Sequence, residues 1–340
     1  MKGYAYYQDA VKRMAARGRR TLNVIAVILC TSVGGHAAAA DFPSRPVTLV
    51  SPFAPGTTNE QVARMIAPKL AEIWKVPVVI ENRSGASGTI GAYHVVRSKP
   101  DGHTILVGSL STQMVKLTTT TAKYDPQTDL VPVTKFINYK MLMAVNAEIY
   151  AQAKTLDELI DLGNRTPGGV NFGGTGPASM FNVFNAMLMG PMDLKYTAID
   201  YQSSNDITLA LLRNDVNYAW NQPNALKPHI ESGDVYPLAV ASEERYSDWP
   251  DVPTVRELGI NGYLQVVWGG FFVPKGTPGS LVDKISRDIQ AVINEAEMKQ
   301  RIETQFGGVV PISDSESFAR DIEADTTAWR EYLKQIGFKP

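Results

Sequence analysis

Three stretches of the sequence gather Gly, Ser, Thr and Asn where helices should start: Pro55-Gly56-Thr57-Thr58-Asn59, Asn82-Arg83-Ser84-Gly85-Ala86-Ser87-Gly88 and Gly173-Gly174-Thr175-Gly176-Pro177-Ala178-Ser179. Each follows an apolar, β-rich run and precedes a segment of helical period. First-turn N–H groups and the partial positive charge of a helix N-terminus favour a carboxylate or phosphate there, and glycine lets an anion come close to the backbone. Ordinary capping accounts for any one of these loops equally well. Two in the first half of the chain and one in the second suit two lobes gripping one small anion from opposite sides.

Reaction chemistry leaves no comparable mark. Gly85-Ala86-Ser87-Gly88-Thr89 lacks the final Gly of a nucleophile elbow, and Gly85, Gly88 and Gly91 do not have the dinucleotide spacing. No Gly-Lys-Ser/Thr follows a glycine loop, so a P-loop is excluded. His94, His103 and His229 are far apart in sequence, each beside a turn or on a helix, and are expected to cap or face solvent rather than bind metal. Arg64 is expected to form a structural ion pair. Neither a catalytic residue, a metal site nor a cofactor is expected. Phe181 and Trp220 are candidates for an aromatic wall, although buried aromatics at strand ends more often belong to the core.

The loops need a scaffold, and the hydrophobic pattern supplies one. Val47 to Phe53 reads as a strand, and Val62, Met65, Ile66, Leu70 and Ile73 recur at helical spacing with Pro68 expected to kink the helix. Val76 to Ile80 is a second strand, Thr89 to Lys99 a helix, Pro100-Asp101-Gly102 a turn and Thr104 to Val107 a third strand. This βαβαβ order implies a parallel sheet covered by helices. The alternation resumes with helix Leu156 to Leu162, strand Val170 to Phe172, helix Ala178 to Met189, strand Lys195 to Tyr201, helix Ile207 to Leu212, and strands Val216 to Trp220 and Val235 to Val240. Two long helices, Ser280 to Phe306 and Ser315 to Ile336, flank a short strand at Val309 to Ile312. Met141 to Val145 and Val266 to Val273 are the expected crossings between lobes. A cleft would then lie outside the C-terminal ends of both sheets.

The N-terminus reads as an address. Lys12, Arg13, Arg17, Arg19 and Arg20 form a basic region, Leu22 to Val33 an apolar one, and Ala37 to Ala40 a run of small residues suited to signal cleavage. The apolar run is too short to span a bilayer, so the mature chain is expected to start at Asp41 without membrane insertion. The 340 residues carry 33 Lys+Arg, 34 Asp+Glu and one Cys, for a net charge of -1. Six of the bases, one acid and Cys30 lie in residues 1–40, which leaves 27 bases against 33 acids, a charge of -6 and no cysteine. An acidic chain without a basic run carries no nucleic-acid footprint, and an anion would have to be held by oriented N–H groups more than by Lys or Arg.

Several motifs carry a family resemblance: Asp41-Phe42-Pro43-Ser44-Arg45-Pro46-Val47, Pro52-Phe53-Ala54-Pro55-Gly56, Ala63-Arg64, Val79-Ile80-Glu81-Asn82-Arg83, Gly85-Ala86-Ser87-Gly88, Pro100-Asp101-Gly102-His103-Thr104, Tyr124-Asp125-Pro126, Leu238-Ala239-Val240 and Pro250-Asp251-Val252-Pro253-Thr254-Val255. In order and spacing the chain resembles the periplasmic solute-binding proteins of tripartite tricarboxylate transporters, the Bug family, over nearly all of residues 41–340. The resemblance implies an α/β, two-lobed Venus-flytrap fold of type II-like plan, each lobe a mostly parallel sheet flanked by helices. The expected division is 1–40 signal peptide, 41–142 plus 265–340 lobe 1 and 143–264 lobe 2. It also implies a monomer that carries a small carboxylate to integral-membrane transporter subunits and meets it with backbone amides and waters of loops 56–59, 85–88 and 173–179. The candidate ligand contacts are Phe53, Gly56, Thr57, Thr58, Asn59, Ser87, Ser109, Gly174, Thr175, Gly176, Ser179, Trp220 and Asn221.

The chain departs from the family pattern at the loops. Thr57 stands for a glycine and Asn59 for an Asp, Ser179-Met180-Phe181 lacks the following His, and Ile199-Asp200-Tyr201-Gln202-Ser203 replaces Val-Pro-Tyr-Lys-Gly. These changes point to a carboxylate with an apolar or aromatic body, aromatic mono- and dicarboxylates included, rather than citrate or an acidic amino acid. Two other readings use the same lobes: a ligand sensor for a membrane signalling partner, and a secreted hydrolase or lyase.

Overall fold

The winding of the two sheets decides where a ligand can sit. The computed structural model describes residues 42–242, 244–260 and 267–339. The expected export signal, Asp41 and Val266 lie outside the described residues. Within Arg45–Pro340, one compact unit, a six-stranded and a five-stranded sheet are flanked by twelve helices among the described residues.

The larger sheet starts with β1 (Val47–Ser51), α1 (Thr58–Trp74), β2 (Val78–Asn82), α2 (Thr89–Val96), β3 (Thr104–Ser109) and α3 (Leu110–Thr118). Its strand order places β1 between β3 and β2, all parallel. After α4 (Pro126–Asp129) comes β4 (Leu130–Tyr139), and one residue later β5 (Met141–Asn146) already belongs to the smaller sheet. There α5 (Ala147–Tyr150), α6 (Leu156–Arg165), β6 (Val170–Gly174), α7 (Met180–Met189), β7 (Tyr196–Asp200), α8 (Ser204–Leu212), β8 (Tyr218–Asn221), α9 (Pro223–Glu231) and β9 (Val235–Ala241) follow. The smaller sheet repeats the winding, with β6 between β8 and β7 in parallel. The chain returns to the larger sheet as β10 (Val267–Pro274) and ends with α10 (Gly279–Ile293), α11 (Ala296–Phe306), β11 (Gly308–Val309) and α12 (Ser315–Gln335).

Strand direction is mostly parallel, while the pairing is mixed. Each strand entering from the other sheet is inserted antiparallel: β10 lies between β3 and β4, and β5 between β8 and β9. Both are buried along their whole length, as continuous apolar runs at the centre of a covered sheet must be. In β10, Gly269 and Gly270 leave room for two rings, since a Cβ would come within 2.2 Å of Phe136 and 2.4 Å of Phe318. The larger core joins Leu106, Leu110, Met114, Trp268, Phe272, Phe318 and Trp329. Trp268 meets Phe318 edge-on at 4.8 Å and donates from Nε1 to the buried Asp325 carboxylate at 2.7 Å. Val183 of α7 also enters this core, so the first turn of a smaller-sheet helix is anchored against the larger sheet.

Three local expectations change. The helix expected over 280–306 is two helices, because Asn294 folds its side chain onto the Gln290 carbonyl at 3.0 Å and ends α10. The strand at 309–312 is only Gly308–Val309, and Ile312 is 94% exposed. Pro68 lies inside an unbroken α1.

Candidate functional site

In an open α/β sheet a crevice forms where successive crossovers leave in opposite directions. β1 feeds α1 and β2 on one side, while the chain comes back to β3 on the other. The β6/β8 pair repeats this in the smaller sheet. The C-terminal ends of these four strands, with the loops and helix starts that follow them, carry Phe53, Gly56, Thr57, Thr58, Ser109, Gly174, Thr175, Gly176, Ser179 and Asn221. Ser87 follows β2, in the turn Ala86–Gly88, one strand away.

The helix starts at these points are not equivalent. α1 has Thr57 at its N-cap with no side-chain cap, because Thr57 Oγ1 donates to Ala54 O at 2.9 Å instead. Glu60, three residues on, completes a capping-box sequence but reaches past the cap to accept from Gly56 N at 3.1 Å, and it forms an ion pair with Arg64. Arg64 therefore has the structural partner expected of it. Thr58 bonds the phenol of Tyr139, the last residue before the chain crosses between sheets; burial holds that phenol far above its ordinary pKa and the Thr58 bond pulls it partly back. Asn59 is buried, and its amide donates to Val107 O and Gly108 O at 3.2 and 2.7 Å. It ties α1 to β3 rather than facing the crevice.

The second loop is built on unusual backbone. Gly85, Ala86 and Gly88 have φ of 129°, 46° and 89°, and α2 also begins without a side-chain cap. A left-handed Ala carries local strain, of the kind that gathers at ligand clamps. Ile90 is 53% exposed, and Phe53 lies against Gly88, 3.2 Å from where a Cβ would stand. Ser109 N donates to Thr112 Oγ1 at 2.7 Å, and the Ser109 and Ser111 hydroxyls are 2.9 Å apart.

The third loop is organised by Asn182, which sequence reasoning missed. Asn182 Oδ1 accepts from Thr175 N and Ser179 Oγ, both at 2.9 Å, while Asn182 Nδ2 donates to Asp200 Oδ1 at 3.1 Å. Ser179 Oγ caps α7 by accepting from Asn182 N at 3.3 Å, so here ordinary capping holds. Gly174 is required, since a Cβ would stand 2.2 Å from Asn182 Oδ1; Gly176, at φ 115°, is unobstructed. The usable signal was the Ser-x-x-Asn spacing of a cap.

Trp220 and Asn221 are corrected by the structure. The Trp220 ring is fully buried, edge-on to Phe184 at 5.2 Å, and its Nε1 donates to Asn185 Oδ1 at 3.1 Å. It is a core residue, not a wall. Asn221 is buried and donates to Ser204 O and Thr208 Oγ1 at 3.1 and 2.9 Å, and its Oδ1 accepts from Gln222 N at 2.8 Å. It holds the starts of α8 and α9. α9 itself begins after Gln222 with no side-chain cap. Phe53 and Phe181 are half-buried aromatics near the loops.

An amide relay crosses between the two sheets' helices. Asn224 Nδ2 donates to Gln305 O at 3.1 Å, Gln305 Nε2 to Gln61 Oε1 at 2.8 Å, and Gln61 Nε2 to Gly56 O at 2.6 Å. Among the described residues, no group of three His, Cys, Asp or Glu is placed to hold a metal, and no helix is long and apolar enough to cross a membrane. His103 Nδ1 lies 2.9 Å from Asp101 O, at the turn before β3.

A family model for the tripartite tricarboxylate transporter family receptor matches residues 62–338. The chain belongs to that family. Its relatives include BugT of Bordetella pertussis, 28% identical over 94% of this chain and 98% of that protein. Among solved structures, the receptor resembles MatC of Rhodopseudomonas palustris with bound malate (28% identity, TM-score 0.69, 86% of this chain and 100% of that one). It also resembles an R. palustris protein with adipate (28% identity, TM-score 0.73, 88% and 100%). The two-lobed periplasmic binding-protein fold expected from sequence is therefore the fold of this receptor.

Proposed function

We propose that this receptor captures a small carboxylate between the loops at its two switch points and delivers it, in the periplasm, to the membrane subunits of a tripartite tricarboxylate transporter. The observation that carries the reading is one helix start without a side-chain cap at each switch point, α1 after β1 and α9 after β8. Such N-termini present N–H groups and positive potential to an anion. Family membership and the malate and adipate in related structures support the ligand class. With Trp220 in the core, an apolar or aromatic ligand body would lie against Phe53 and Phe181. The chain binds rather than transforms its ligand, and contacts from both lobes favour the closed form that the permease would meet.

Isothermal titration with a panel of mono- and dicarboxylates, preceded by native mass spectrometry for a co-purified acid, tests this. Saturable binding that Gly56→Val weakens at least tenfold is expected, because Gly56 has φ 86° and a β-branched residue there must displace the loop. Binding of no carboxylate, or turnover of one, overturns the reading.

A further inference from the structure

The loop at the β6/β8 switch point is set by a pair of side chains, and one of them brings an uncompensated charge. Asp200 ends β7, where it is the register partner of Gly174, and Tyr201 N donates to Gly174 O at 2.8 Å. The Asp200 backbone thus lies one strand spacing, about 4.8 Å, from the start of the loop. Its Oδ1 accepts from Asn182 Nδ2. A carboxylate can only accept, so this bond fixes which way the Asn182 amide points and turns Asn182 Oδ1 toward Thr175 N and Ser179 Oγ. Asp200 is exposed, and among the described residues no Lys, Arg or His forms an ion pair with it. The other acid at the loops, Glu60, is neutralised by Arg64.

We infer that Asp200 is a specificity-determining and positioning residue: through Asn182 it shapes the ligand loop, and its negative charge makes the site discriminate against a second carboxylate. The favoured ligand is a monocarboxylate whose far end is a neutral or cationic hydrogen-bond donor, an amine, hydroxyl or amide. This rests on the carboxylate reading above. The anionic end is held at the uncapped helix starts, and a second anion within several ångströms of Asp200 is repelled, whereas a donor is attracted.

Asp200→Asn separates charge from position. Asn keeps an Oδ1 that can accept from Asn182 Nδ2, while the charge is removed and the second carboxylate oxygen becomes an NH2 donor. Titrations would compare adipate, 6-hydroxyhexanoate and 6-aminohexanoate, and succinate, succinamate and 4-aminobutyrate, on wild type, Asp200→Asn and Asn182→Ala, with Tm for each. The wild type should bind the donor-ended member of the better series about tenfold more tightly than the diacid. Asp200→Asn should bring that ratio to within about threefold at unchanged Tm, and Asn182→Ala should weaken all members together and lower Tm. A wild type that prefers the diacid, or a ratio that survives Asp200→Asn while binding persists, overturns the inference alone. Failure of every acid to bind overturns the carboxylate reading and this inference with it.

Discussion

Glu60 Oε2 accepts the Gly56 N–H at 3.1 Å, and Glu60 is only 2% exposed. The loop after β1 therefore already contains one of the protein's own carboxylates, neutralised by Arg64. Glu60→Ala would strand the Gly56 N–H and remove the acceptor of Arg64, for a loss of about 2 kcal/mol in stability. Glu60→Gln keeps an acceptor and should lose about half as much. Urea denaturation measures both, and equal midpoints for Glu60→Ala and wild type would show that the contact does not hold the loop.

Gly174→Ala places a Cβ 2.2 Å from Asn182 Oδ1. Asn182 must move, its bonds to Thr175 N and Ser179 Oγ are lost, and stability should fall by about 2 kcal/mol with a loss of ligand affinity. A wild-type Tm and Kd for this variant would mean that the loop does not depend on Asn182.

Trp220→Phe should leave ligand affinity within about twofold while costing about 1 kcal/mol, since the indole N–H to Asn185 is lost inside the smaller lobe. Calorimetry and thermal unfolding separate the two effects. A large change in Kd at unchanged stability would return Trp220 to the binding site.

The relay from Asn224 through Gln305 and Gln61 to Gly56 O lies at the surface. Asn224→Ala should change stability by less than about 0.5 kcal/mol. It removes the Asn224 Nδ2 bond to Gln305 O that bridges the lobes, so the bound ligand should dissociate about two- to threefold faster in stopped flow. An unchanged off-rate would limit the relay to surface decoration.

Asp314 caps α12: its carboxylate accepts from Ser317 N at 2.7 Å, which holds its pKa below the ordinary carboxylate value, with the Ser317 hydroxyl adding to the effect. A depressed acid stabilises the fold above its unfolded pKa, and that contribution is lost as pH falls through the folded value. Asp314→Ala should thus lower Tm at neutral pH, and the difference from wild type should shrink below about pH 4. A pH-independent difference in Tm would point to lost helix propensity instead.

How much of this was legible can be judged residue by residue. The βαβαβ units were, because buried parallel strands read as apolar runs and helices as periodic ones. β4 was not, because Pro132, Thr134 and Lys135 interrupt its apolar pattern. Thr134 Oγ1 finds Ser313 O at 2.8 Å, and Lys135 finds Asp321, both partners far along the chain. Of the candidate site, the glycine loops were visible as composition. Asn182, Asp200 and Glu60 were not, since each acts through hydrogen bonds whose direction depends on packing.

By itself the sequence determined the two-lobed α/β class and the three loops, which follow from local pattern and backbone preference, and the family, which its motifs carry by resemblance. Only the tertiary structure decided which loop side chains are committed. It turned Asn59, Trp220 and Asn221 toward interior partners and left α1 and α9 without side-chain caps. It also set Asp200 beside Gly174. The physical reason is that a polar group in a folded protein takes whichever partner the packed strands bring within about 3 Å, and residues 26 to 49 positions apart, such as Gly174 and Asp200 or Asn59 and Gly108, meet only once the sheets have formed.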